Sequence, residues 1–82
     1  MEGHERARLL WQCRRGMREL DLLLQAFAEA ELEGLDRAER AAFEGLLARP
    51  DAELAELLLG ASEPMDGTTA DVVARIRTAA RP

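Results

Sequence analysis

Covalent chemistry in this sequence would have to come from very few side chains. His4 is the only histidine and Cys13 the only cysteine. A nucleophile needs a base within hydrogen-bond reach. His4 sits in a chain end, where order is usually poor. Cys13 falls on the apolar side of the first helical pattern, as a small buried hydrophobe does. Glu29, Glu31 and Glu33 could serve acid–base work, but their setting reads as a solvated helix face. No Gly-rich phosphate loop and no metal-ligand spacing occurs. The expectation is a protein without catalytic residues and without a metal, and not an enzyme.

A different chemistry is written into Trp11-Gln12-Cys13-Arg14-Arg15-Gly16-Met17-Arg18-Glu19-Leu20-Asp21. These eleven residues hold three arginines, two acids, a glycine, the only tryptophan and the only cysteine. Gly16 separates two helical patterns, so the charges gather at a helix junction. There the second helix offers free N–H groups and its positive dipole end. Three readings are open. The arginines can cap helices and pair internally, Arg15 or Arg18 with Glu19 or Asp21. They can touch phosphate or nucleic acid. Or the stretch is a protein-docking patch, since Arg and Trp are enriched at interface hot spots. The candidate site residues are Trp11, Arg14, Arg15, Gly16, Arg18, Glu19 and Asp21.

The elements that must present them are helices. The first pattern covers residues 5–14, with Ala7, Leu10 and Trp11 at i, i+3, i+4, widened by Leu9 and Cys13. Gly16 stops it, with Arg14 and Arg15 in its last turn. The second runs from Met17 to Leu32, with Met17, Leu20, Leu23, Leu24, Phe27 and Ala30 inward and Arg18, Asp21, Gln25 and Glu29 outward. Its apolar face is the richest, so it is expected at the centre. The third opens at Leu35-Asp36 with a capping box to Glu39 and stops at Arg49-Pro50. It buries Ala42, Phe43, Leu46 and Leu47, pairs Arg40 with Glu44, and holds Gly45 as a mark of close helix approach. The fourth is capped by Asp51, with Leu54, Leu57, Leu58 and Ala61 inward and an end near Gly60. Residues 62–67 are a loop. The last opens at Thr68 with Asp71 three residues on and buries Val72, Val73, Ile76 and Ala79 or Ala80. Arg81-Pro82 is a tail. The fold class is all-α: one domain over residues 1–82, a small bundle of five short helices. Phe27 and Phe43 are expected to meet where the second and third helices cross. Arg15 and Glu19 are expected to be exposed.

Composition bounds the rest. A single cysteine excludes an internal disulfide, and no apolar run approaches the roughly 20 residues of a membrane span. The N-terminus lacks a signal-peptide core and is too acidic for a mitochondrial transit sequence. A cytoplasmic monomer is expected. The net charge is −5, unevenly placed: five arginines oppose two acids in residues 1–18, and fourteen acids oppose three arginines in residues 19–71. An acidic waist argues against general nucleic-acid binding.

The stretch from Trp11 to Asp21 also resembles the signature of the small bacterial FAD assembly factors of the SdhE type, relatives of the mitochondrial succinate dehydrogenase assembly factors. The hallmark R-G-x-x-E is matched by Arg15, Gly16 and Glu19. The likeness continues in helix order through Leu35-Asp36 and Pro50-Asp51. Where the family often has an aromatic late in the second helix and a Trp in the fourth, this chain has Leu32 and Leu57, both suited to a core. The resemblance implies binding to the flavoprotein subunit of succinate dehydrogenase, and in bacteria also of fumarate reductase. It further implies promotion of covalent FAD attachment to a histidine of that subunit, with the R-G-x-x-E surface as working site. FAD would belong to the client, and none would be bound stably here. The rival reading is a nucleic-acid-binding or antitoxin-like module using Arg6, Arg8, Arg14, Arg15 and Arg18. A weak flavin-binding protein ranks below it, because no Rossmann fingerprint is present.

Overall fold

Five stretches of 3.6-residue apolar periodicity become five α-helices in the computed structural model, which describes residues 2–60, 62–64 and 66–79. They are α1 (Gly3–Gln12), α2 (Arg18–Glu31), α3 (Arg37–Leu47), α4 (Asp51–Leu58) and α5 (Gly67–Ala79). A single 3₁₀ turn, Leu32–Gly34, follows α2, and no strand occurs among the described residues. Ala61, Ala80, Arg81 and Pro82, placed in the fourth helix, the last helix and the tail by pattern, lie outside the described residues.

Core formation follows the pattern closely in α2 to α5. Leu20, Leu24, Phe27 and Ala28 of α2 are buried with Phe43, Leu46 and Leu47 of α3. Leu54, Leu57 and Leu58 of α4 and Val72, Val73 and Ile76 of α5 complete the cluster, with Leu32. Leu32 and Leu57 are therefore core side chains. Phe27 and Phe43 meet as expected, ring centroids 5.2 Å apart at 51°. The centre is shared, however: α5 packs against α2, α3 and α4, so α2 is not alone there. Ala30 and Met17, expected inward, are exposed, because α2 begins after Met17 and its buried arc is narrower than the pattern.

The first helix is rotated from its expected face. Leu9 and Cys13 are fully buried, Leu10 is half-buried, Ala7 is exposed, and Trp11 is 71% exposed. Two apolar stripes compete on α1, and ion pairs to α3 help fix the choice. Arg40 lies 3.8 Å from Glu5, and Arg8 donates to Glu44 at 3.0 Å. These pairs replace the expected Arg40–Glu44 pair within α3. They tie α1 to α3 in the same sequence order, Glu5 to Arg40 and Arg8 to Glu44. The helix starts at Gly3, so exposed His4 is in its first turn rather than frayed.

Several caps differ as well. The Asp36–Glu39 capping box forms, with both bonds under 3 Å. At α4 the N-cap position is Pro50, and Asp51 makes no cap bond. At α5 the cap is Asp66, which accepts from the Thr69 amide and hydroxyl at 2.8 Å each, in place of the expected Thr68–Asp71 start. The amide bond, chiefly, holds the Asp66 carboxyl below its ordinary range. Gly45 is exposed with no neighbour where a Cβ would stand, so it marks no close approach. Glu31 and Glu33 are not simply a solvated face. Glu31 and Glu39 bind Arg75, whose guanidinium also lies 5.8 Å from the centre of the Phe27 ring. Arg6 Nε sits 2.8 Å from Glu33 but off the line of a hydrogen bond.

Candidate functional site

The turn between α1 and α2 is built around one arginine. α1 ends at Gln12, so Arg14 and Arg15 lie beyond it rather than in its last turn. The Arg15 guanidinium reaches across to the α3–α4 junction. Its Nε donates to Asp51 Oδ1 at 2.7 Å, Nη1 to Leu47 O at 2.8 Å, and Nη2 to Arg49 O at 2.7 Å. A further bond from Nη1 returns to Gln12 O at 3.2 Å. Leu47 ends α3, so Arg15 satisfies carbonyls that the helix leaves without partners. The positive head also suits that helix's negative dipole end, and Asp51 neutralises it. Only 14% of the Arg15 side chain remains accessible. The expected exposure of Arg15 is therefore wrong: its fork of donors is consumed inside the chain.

Asp21 completes the frame from the other side. Its carboxylate accepts from the amides of Arg15 at 2.9 Å and Gly16 at 3.2 Å. Asp21 thus turns back onto the loop instead of joining the solvated stripe of α2. Gly16 has φ +85°, the only positive φ among the described residues. An L side chain there would cost about 1–2 kcal/mol. Gly16 is not the cap of α1, since Cys13 and Arg14 donate their amides to Leu10 O and Trp11 O first. It is the residue that lets the chain reverse between the Arg15 clamp and α2. The Cys13 thiol, just inside, donates to Leu9 O at 3.3 Å. Burial pushes it up to about 11, against a smaller opposing effect of Arg15. It is a neutral core group at neutral pH, in line with its expected inertness.

What this frame leaves free is the outer surface. Glu19 stands exposed in the first turn of α2, next in sequence to exposed Arg18, and Arg14 is exposed in the turn before it. None of the three forms an ion pair among the described residues. Trp11 and Arg14 border a groove of about 540 Å³ between α1 and α2, floored by Ala7 and Leu10. The structure so divides the seven candidates. Trp11, Arg14, Gly16, Arg18 and Glu19 present an outer face, while Arg15 and Asp21 hold the turn beneath it.

The comparisons with known proteins agree with the signature. The family described as "Flavinator of succinate dehydrogenase" matches residues 7–80. The chain belongs to this family. Among curated relatives, the FAD assembly factor SdhE of Legionella pneumophila (strain Paris) is 48% identical over 64 residues, 78% of this chain and 81% of that one. The FAD assembly factor of Methylococcus capsulatus is 44% identical over 73 residues, covering 89% of this chain and 88% of its own. That of Pectobacterium atrosepticum is 37% identical over 78 residues, 95% of this chain and 89% of its own. No solved structure gives a significant match. The comparisons lend no support to a nucleic-acid module. Of the five arginines that reading needs, Arg6, Arg8 and Arg15 each lie against a carboxylate.

Two features of this flavinator-family member escaped the sequence reading. Asp51 serves Arg15 from thirty-six positions away, a distance at which no spacing rule operates. Leu22 and Leu59 are exposed large hydrophobics, 57% and 44% accessible, and they meet beside Glu19. Leu22 was detectable as an apolar residue on the polar side of α2. Its pairing with Leu59 needed the fold.

Proposed function

We propose that this chain is an assembly factor that binds the flavoprotein subunit of succinate dehydrogenase and promotes covalent attachment of FAD to it. The observation that carries the reading is the outer face of the α1–α2 turn. There an exposed carboxylate, Glu19, and two exposed arginines, none of them ion-paired among the described residues, stand at a turn held by Arg15, in a chain of the flavinator family. A pre-ordered charged surface loses little freedom on docking. The flavin supplies the electrophile; the residues of this chain bind and orient the client. Glu19, Arg14, Arg18 and Trp11 make the contact, Gly16 lets a partner approach the backbone closely, and Arg15 and Asp21 position the turn. By favouring one client conformation, the surface brings histidine and flavin into attack geometry.

In this reading FAD stays with the client. The turn does not suit a flavin pyrophosphate, because the Arg15 and Gly16 amides already donate to Asp21. The chain acts without enzymatic activity of its own and as a monomer in the cytoplasm, and the homologous subunit of fumarate reductase is a second client.

The test is in-gel flavin fluorescence of the client subunit, in a strain lacking its own factor and complemented with variants. Glu19→Ala is expected to fold normally, surface changes usually falling within ~0.5 kcal/mol, yet to leave the client unflavinylated. Gly16→Arg is expected to do the same at some loss of stability. Full fluorescence with Glu19→Ala at normal protein level would refute this surface as the working site. Failure of wild type with a verified cognate client would refute the function.

A further inference from the structure

Glu19 stands on the lip of a small cleft whose other walls are Leu22, Leu23 and Leu59. The cleft holds about 250 Å³, room for one aliphatic side chain rather than a small-molecule cofactor. Singly exposed leucines are ordinary on protein surfaces. These two come from different helices, Leu22 from α2 and Leu59 from the residue that closes α4, and converge on one opening. The Leu59 main chain is held in the closing turn of α4, its amide donating to Ala55 O at 2.7 Å. Along α2, Arg18, Leu22, Gln25 and Glu29 fall at i, i+4, i+7, i+11 on one outward stripe. Gln25 and Glu29 also border the Trp11 groove. The cleft thus shares Glu19 with the face assigned to docking, and Leu22 lies on the same stripe of α2 as Gln25 and Glu29.

We propose that this cleft receives one aliphatic side chain of the client flavoprotein, from a segment that sets a lysine or arginine against Glu19. The inference rests on the assembly-factor reading above and adds the chemistry of the segment that is gripped. Charge complementarity selects the occupant. Glu19 is the only ionisable group of the lining, and no described residue neutralises it. An acidic segment would meet like charge, and a purely apolar one would cover a carboxylate without a partner, which is costly. A second copy of this chain fits poorly. A twofold contact places the same patch on both sides, so Glu19 would approach Glu19 between two chains of net charge −5.

The test is a binding cycle. Purified flavoprotein subunit, fluorescently labelled, is titrated with wild type, Leu59→Ser, Glu19→Gln and the double variant, each checked for helicity. Each single change is expected to weaken binding roughly tenfold. The double is expected to weaken it by much less than the product of the two, because both residues hold one segment. If Leu59→Ser does not fold, Leu22→Ser takes its place. Binding by the leucine variant within about twofold of wild type overturns the proposal, and so does strict additivity. Self-association of wild type that Leu59→Ser abolishes would make a second copy the occupant and overturn it too. Loss of client binding by wild type itself would bring down the assembly-factor reading. Wild-type-like binding by the leucine variant, with Glu19→Gln still weakened, brings down the cleft alone.

Discussion

Replacing Arg15 with alanine removes four donated hydrogen bonds at once: to Asp51, Leu47 O, Arg49 O and Gln12 O. A hydrogen bond involving a charged group contributes about 1.5–3 kcal/mol. The four are not additive, since one side chain makes them all. Asp51 is half exposed and recovers water when its partner goes, so its share is close to that of a surface pair, at most ~1 kcal/mol. The carbonyls at the end of α3 lose the group that covers them, and the turn loses its anchor to the α3–α4 junction. A total of about 3 kcal/mol follows, which for a domain of this size lowers the melting temperature by roughly 12–24 °C. Arg15→Lys should recover little, because an ammonium cannot reproduce the planar fork that spans Asp51 and the carbonyls. Arg14→Ala and Arg18→Ala, at exposed positions without ion pairs among the described residues, should stay within ~0.5 kcal/mol of wild type. Thermal unfolding followed by circular dichroism at fixed salt reads all four. An Arg15→Ala melting point within about 3 °C of wild type would refute the clamp and return Arg15 to the outer surface.

Phe27→Ala should cost roughly 3–5 kcal/mol, because the ring is fully buried against Phe43 and under Arg75; urea unfolding measures it, and near-native stability would show that the α2 face is misplaced. Cys13 predicts a loss of stability in alkali. With its thiol raised from 9.0 to about 11, both states are protonated below pH 9, and the unfolded chain alone gives up its proton between 9 and 11. Stability should therefore be full below pH 9 and fall by roughly 2–3 kcal/mol as pH rises to 11. The chain has no tyrosine, and all its basic residues are arginine, so no other side chain titrates in that window. Cys13→Ala should flatten the decline, and an unchanged slope would refute the assignment.

Much of the fold was legible because short-range physics decides it. The apolar spacing of α2 to α5 and the Asp36–Glu39 capping box are local facts, and each element formed where its pattern lay. The family signature was legible for a related reason: eleven consecutive residues carry it, and Gly16 has the positive φ that explains why glycine stands there. The sequence could not rank two apolar stripes on α1. That choice lay with the packing of α1 on the other helices, which took Leu9 and Cys13 into the shared core and left Trp11 in solvent, with ion pairs to α3 alongside. Nor could it divide the signature's charges between frame and surface. Arg15 and Arg18 are the same residue type three positions apart. One finds three carbonyls and a carboxylate within reach of its guanidinium, and the other stands exposed with no ion pair among the described residues. Which acceptors stand within 3 Å of a side chain is set by where distant segments are packed, and only the tertiary structure holds that information.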